Sequence, residues 1–318
     1  MTTPPVIAAV DGSDDSLRAL DWALDDARRR SAPVRVVHVR QYAPWAQPEV
    51  PVAAPPDGDD DPVLDRVRAF VKERAEGADA EYTTLSGAPA ALLPELGDAA
   101  QLLVLGSRGR GGFASLLLGS NGLAAARTAA CPVVVVPRPG RGTDDPSPVD
   151  TAPGPRVVVG VQVDDPDEGT LAFAFAEAAG RDARLQVIAA YPWPVQTWAV
   201  AGEPVPTVLD QQPVEDETRI LLEEALAPHR ARHPHVPSEA YALPGDAAGL
   251  LVAASRDAEL VVVGRHRRRP LSPVRMLGSV TQAVLLHAAS PIAVVPPAPT
   301  DEPTSGSAQE SAGESAGE

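Results

Sequence analysis

The 318-residue chain holds a single cysteine, Cys131, and a single lysine, Lys72, beside 26 arginines. One thiol excludes an intrachain disulfide and fits a reducing compartment. No run approaches the roughly 18 apolar residues of a membrane span, and the start, TTPPVIAAVDGS after Met1, has neither a basic region nor a long apolar stretch. A cytoplasmic location is the expectation. Basic residues are outnumbered, 27 against 43 acidic ones, for a formal charge of −16. Such a surface repels phosphate backbones and anionic membranes, so neither nucleic acid nor membrane is an expected partner. A small anion held in one local pocket is not excluded.

Internal repetition sets the architecture. Val6–Val10 (VIAAV) returns as Val157–Val161 (VVVGV), and VRVVHV from Val34 as LQVIAA from Leu185. GAPAALL from Gly87 returns as GDAAGLL from Gly245, QLLVLGSRGR from Gln101 as ELVVVGRHRR from Glu259, and CPVVVVP from Cys131 as SPIAVVP from Ser290. The offset drifts only from 151 to 159 residues, which indicates duplication. Each copy alternates short continuous Val/Ile/Leu/Ala runs with amphipathic helices, the pattern of parallel strands covered on both faces. Ser13 or Asp14 caps a first helix with Leu17, Leu20, Leu24 and Ala27 on one face; Asp61 and Pro62 open the next; Pro94 kinks or ends the third. The fold class is α/β: two tandem doubly wound domains, each a five-stranded, mainly parallel sheet with helices on both faces. Proline-rich stretches place the boundaries: domain 1 over 1–139, a linker over 140–155, domain 2 over 156–297, and a disordered acidic tail over 298–318.

The chemistry gathers in GSRGRGGFASLLLGS, Gly106 to Ser120, after the strand Leu102–Leu105 and leading into a helix near Ser120. That is the carboxyl end of a strand, where doubly wound sheets bind ligands. Its glycines let backbone N–H groups converge on one anion, and Gly119-Ser120 presents a helix N-terminus. Arg108 and Arg110 add positive charge, and no Asp or Glu lies between Asp98 and Asp144. A dinucleotide fingerprint, GRGGFA from Gly109, follows the wrong strand and lacks the acidic residue near Ala129 that a ribose needs. A Walker loop fails too, since no GK[ST] occurs and Lys72 lies on a helix away from any glycine loop.

Gly106-x2-Gly109-x9-Gly119-Ser120 resembles the G-x2-G-x9-G-S/T signature of ATP-binding universal stress proteins, and AVDGS at Ala9–Ser13 and VVHV at Val36–Val39 match two further family features. The resemblance runs from about Val6 to Pro137 and Val157 to Pro296. It implies that Asp11 contacts the nucleoside, that the Val39 backbone meets the adenine, and that Gly106, Gly109, Gly119 and Ser120 wrap the phosphates. Arg108 and Asn121 complete the candidate set, although Asn121-Gly122 stands where many members have Val and Ser or Thr. The implied ligand is ATP, with ADP, AMP or cyclic AMP as alternatives and with or without Mg2+. Because lone family domains pair their last strands, the copies are expected to form an intramolecular pseudo-dimer, Val133–Val136 beside Ile292–Val295, acting on a protein partner that the sequence does not identify.

The second copy departs at three places. Gln162 replaces Asp11, Arg267 replaces the second loop glycine, and Gly264 to Gly278 is one residue longer than Gly106 to Gly119. Arg265, Arg267, Arg268, Arg269 and Arg275 make that loop basic, able to hold an anion or to pack against the acidic first domain, but ordinary ATP is not expected there. His229, His233 and His235 read as solvated helix-end histidines in preference to metal ligands. Asp57, Asp59 and Asp61 read as a solvated acidic insertion ending in a helix cap, because a calcium loop would need Gly and Glu where Pro62 and Arg68 stand. Tyr42 with Trp45 and Tyr191 with Trp193, on the insertions near each expected pocket mouth, read as a lid over the base or as local packing, with packing slightly preferred. Three function classes stay open: a nucleotide-responsive binding module, a slow ATPase or self-phosphorylating enzyme, and a nucleotide-free scaffold.

Overall fold

The computed structural model describes residues 3–41, 61–75, 79–109, 118–140, 147–149, 152–192, 212–265 and 277–298. The first half runs β1 (Val6–Val10), α1 (Asp14–Arg30), β2 (Val34–Arg40), α2 (Pro62–Arg74), β3 (Ala80–Ser86), α3 (Pro89–Glu95), β4 (Leu102–Gly106), α4 (Ser120–Thr128) and β5 (Val133–Val136). The second repeats it as β6 (Arg156–Val161), α5 (Glu168–Gly180), β7 (Arg184–Tyr191), α6 (Gln212–Arg232), β8 (Ser238–Pro244), α7 (Ala247–Ala254), β9 (Leu260–Gly264), α8 (Ser279–His287) and β10 (Ile292–Val295).

The strands form one ten-stranded sheet ordered β3-β2-β1-β4-β5-β10-β9-β6-β7-β8. Within each half all neighbours are parallel, and β5 meets β10 antiparallel, with Val135 opposite Ile292 and Val133 opposite Val294. The expected pairing of last strands therefore occurs inside one chain, and each of β5 and β10 covers an apolar edge that would otherwise be exposed. Side chains of alternate parity feed two layers. Val6, Ala8, Val34 and Val36 pack under α1 and α2, while Ile7, Leu103 and Leu105 pack under α3 and α4, with the same division in the second half.

Local chemistry sets the element ends. Ser13 caps α1, its Oγ accepting from Ser16 N at 3.2 Å, and Ser31 closes the helix in the left-handed region at φ 51°. Asp61 caps α2, with Pro62 in the first turn, and Asp167 caps α5. Pro94 lies inside α3, which ends one residue later and continues as a 3-10 turn over Leu96–Ala99.

The halves also meet through α1 and α5. Asp26 Oδ2 accepts from Arg30 Nε at 2.6 Å and its Oδ1 from Arg181 Nη2 at 2.8 Å, while Glu177 bridges Arg30 and Arg181. The Arg181 guanidinium lies 5.4 Å from the Trp22 ring centroid and that of Arg30 5.7 Å from Phe173. Val149, placed in the linker by proline content, is buried in the layer that holds α3, α4, α7 and α8. Residues 299–318, nearly all of the tail expected to be disordered, lie outside the described residues.

Candidate functional site

In each half strand order reverses between the first and fourth strands, β1/β4 and β6/β9, which opens a crevice at their carboxyl ends. The first crevice is lined by Asp11 after β1, Val39 on β2, Gly106 at the end of β4, Arg108 and Gly109 beyond it, and Gly119 and Asn121 at the start of α4. Seven of the eight residues singled out by sequence thus share one cleft. Ser120 is exposed in the first turn of α4 and is not part of this wall.

Asp11 is held by the turn it begins. Ser13 donates to its Oδ1 from both N, at 3.0 Å, and Oγ, at 2.6 Å, so one hydroxyl orients the carboxylate and caps α1. A Cβ at Gly106 would lie 2.6 Å from Asp15 O, so a glycine there lets α1 approach β4. Asp15, buried below, is bound by Arg18 and by Arg138 Nε at 2.8 Å. A Cβ at Gly109 would overlap Asp11 Oδ2, so the loop backbone lies directly on the carboxylate. Gly119 begins α4 with no capping side chain, leaving first-turn N–H groups directed at the crevice mouth. Sequence reasoning missed Ser16, Val37, Pro89 and Leu93 on the same wall; the repeated GAPAALL block held the signal for the last two.

This cleft encloses about 90 Å³, whereas the corresponding cavity of the second half encloses about 240 Å³. The half read as eroded therefore holds the larger space. Gln162, Asp165, Arg265 and Thr281 line it among apolar side chains. Arg265 also reaches across the domain junction, where its Nη1 donates to Ala129 O at 2.9 Å and Ala126 O at 3.4 Å at the end of α4.

Two expectations need correction. His229 is not solvated: it is fully buried in the last turn of α6, its ring stacked on Phe175 at 5.5 Å, with His233 stacked on the same ring at 5.8 Å. The aromatic face of imidazole serves as packing surface here. Burial lowers the His229 pKa, opposed by Glu168 beside it. His235 is exposed, and among the described residues no group of His, Cys, Asp and Glu could hold a metal. Asp61 is likewise buried. It accepts from His38 Nδ1 and Thr84 Oγ1, each at 2.7 Å, and from Val63 and Leu64 N. Burial opposes its ionisation, but these hydrogen bonds and the adjacent imidazole outweigh that and hold its pKa down to about 2. Tyr191 is packed inside, as read. Arg110, Arg267, Arg268, Arg269, Arg275, Asp57, Asp59, Tyr42, Trp45 and Trp193 lie outside the described residues.

The profile of the Universal stress protein family matches residues 3–137 and 155–296. A universal stress protein of Mycobacterium tuberculosis is 34% identical over 299 residues, 91% of this chain and 96% of the relative. One of Mycolicibacterium smegmatis is 27% identical over 299 residues, 92% and 97% of the two chains. Among solved structures, a functionally unknown protein of Pseudomonas aeruginosa superposes with a TM-score of 0.60 at 16% identity, covering 93% of each chain. A universal stress protein of Archaeoglobus fulgidus gives 0.58 at 17%, covering 93% of this chain and 99% of its own. At those identities the structures speak for the shared fold alone. Among the described residues, no helix is long and apolar enough to cross a membrane.

Proposed function

The chain belongs to the universal stress protein family, and from that membership we propose that its first domain binds an adenine nucleotide, ATP foremost, and responds to it as a regulatory module. The observation that carries this reading is the convergence of Asp11, Val39, Gly106, Arg108, Gly109, Gly119 and Asn121, from four separate segments, on one crevice at a strand-order reversal. The donor set fits an anionic nucleoside. Asp11 offers a carboxylate for ribose hydroxyls, Val39 backbone for the base edge, and the uncapped start of α4 with Arg108 supplies N–H groups and charge for phosphates.

At about 90 Å³ the cleft is smaller than the roughly 150 Å³ cavity that admits benzene. A nucleotide therefore extends out of the open cleft, past the Gly109 backbone that lies on Asp11, which ties the ligand to the loop that begins at Gly106. A protein partner that reads this loop would sense the nucleotide.

Calorimetry on the whole chain tests the assignment. One ATP per chain is expected, and at free ligand of about 100 times Kd, linkage adds about 2.7 kcal/mol of stability. Gly109→Asp removes both the heat and the thermal shift, since it places a side chain and a negative charge against Asp11; Gln162→Ala in the second domain retains them. Two equivalent sites, or full binding by Gly109→Asp, would overturn the reading.

A further inference from the structure

The second-domain cavity is not a copy of the first. Strand register and the repeated blocks align Gly160 with Ala9, Ala190 with Val39, Ala247 with Pro89 and Val280 with Asn121. Three of these exchanges remove side-chain bulk from the wall, and the fourth replaces an amide at the helix start with an isopropyl group. The enclosed space rises to about 240 Å³, walled largely by aliphatic side chains such as Leu171, Ile188 and Leu251.

Several polar groups among the described residues of this wall are engaged by the protein itself. Asp167 accepts from Thr170 N at 2.7 Å and from Thr170 Oγ1 at 2.8 Å. Thr281 Oγ1 donates to Gly264 O at 2.9 Å, and Arg265 donates to the last carbonyls of α4. Gln162 and Asp165 are exposed and stand at the rim. A ligand inside would gain chiefly from apolar contact.

We propose that the second domain carries a separate site for an uncharged, largely apolar molecule of about bicyclic size. The size follows from the volume, which exceeds the roughly 150 Å³ that holds one benzene. The class follows from the aliphatic wall and the engaged polar groups. The site stands independently of nucleotide binding in the first domain.

Indole serves as the probe, titrated into the full chain by calorimetry with and without ATP. One indole per chain is expected, at an affinity that ATP does not alter through competition. Ala190→Leu from β7 and Ala247→Leu from α7 each add bulk to the cavity wall and weaken indole binding about tenfold or more. Gly109→Asp leaves indole binding intact, so failure of the nucleotide assignment is read separately. If Ala190→Leu melts abnormally, Ala247→Leu decides alone. No saturable uptake by the wild-type chain, unchanged affinity in the folded filled variants, or displacement by ATP would overturn the proposal.

Discussion

Replacing Arg181 with Met tests what joins the two halves beyond the β5–β10 pair. Arg181 is the more buried of the two cations shared by Asp26 and Glu177, and its side chain and both carboxylates are 4% exposed or less. Its removal leaves two buried carboxylates with Arg30 as their common partner and strips the guanidinium from Trp22. Breaking a buried ion pair from one side costs about 3–5 kcal/mol, because the remaining charge keeps its desolvation penalty. At about 2–3 °C per kcal/mol for a chain of this size, the melting temperature falls by roughly 6–15 °C. Urea unfolding followed by tryptophan fluorescence and circular dichroism measures the loss, and a second transition would report domains that separate before they unfold. Replacing all four members together, Asp26→Leu, Arg30→Met, Glu177→Leu and Arg181→Met, recovers most of the loss, since an apolar cluster of similar volume carries no desolvation cost. A change under about 1 kcal/mol for Arg181→Met, or a quadruple variant weaker than the single one, would refute the reasoning.

Asp61→Asn tests the buried cap. Because the folded pKa is lowered to about 2 from 3.8, the carboxylate contributes about 2 kcal/mol that is complete above pH 4 and lost as pH falls through 2. Urea midpoints of wild type and Asp61→Asn should therefore differ near neutral pH and converge in acid, and a pH-independent gap would contradict the assignment. Arg265→Met removes the donor to Ala126 and Ala129 carbonyls, costing about 1 kcal/mol and several-fold in first-domain nucleotide affinity. Calorimetry decides the second half, since lost stability with unchanged affinity would show that α4 transmits nothing.

The strands were legible because parallel strands covered on both faces need side chains that are apolar throughout, and VVVV at Val133 and LVVVG at Leu260 can be little else. Motif spacing carried the first cleft, since Gly106 and Gly109 owe their identities to close approach against Asp15 and Asp11, which leaves a mark in sequence. Ion clusters leave none. Asp26 with Arg30 and Glu177 with Arg181 are ordinary i, i+4 pairs of solvated helix faces until α1 is set against α5. His229 was misread for the same reason, because Phe175, its stacking partner, comes from a different helix. The volume of the second cavity stayed hidden because Ala190 for Val39 and Ala247 for Pro89 gain meaning only once register places them on one wall.

The antiparallel junction has a geometric consequence for communication between the halves. With β5 and β10 opposed, the carboxyl ends of the two sets of strands point in opposite directions, so the clefts open at opposite ends of the sheet. A helix that runs back along the sheet beside the β5–β10 junction can then start at its own cleft and finish near the other. α4 does so: Gly119 and Asn121 line the first cleft, and nine residues later, about 13 Å along the axis, its final carbonyls receive Arg265 from the second. The positive guanidinium at the C-terminus and the anion proposed for the N-terminus each favour the same helix dipole, and Arg265→Met reads how much of that is transmitted through α4. The residue equivalent to Arg265 in the first half is Ser107, which turns its hydroxyl to Asp15 at 3.5 Å and brings no charge to α8. Duplication supplied the symmetric frame, and the exchange of serine for arginine at one position makes the contact between the halves at this point one-sided.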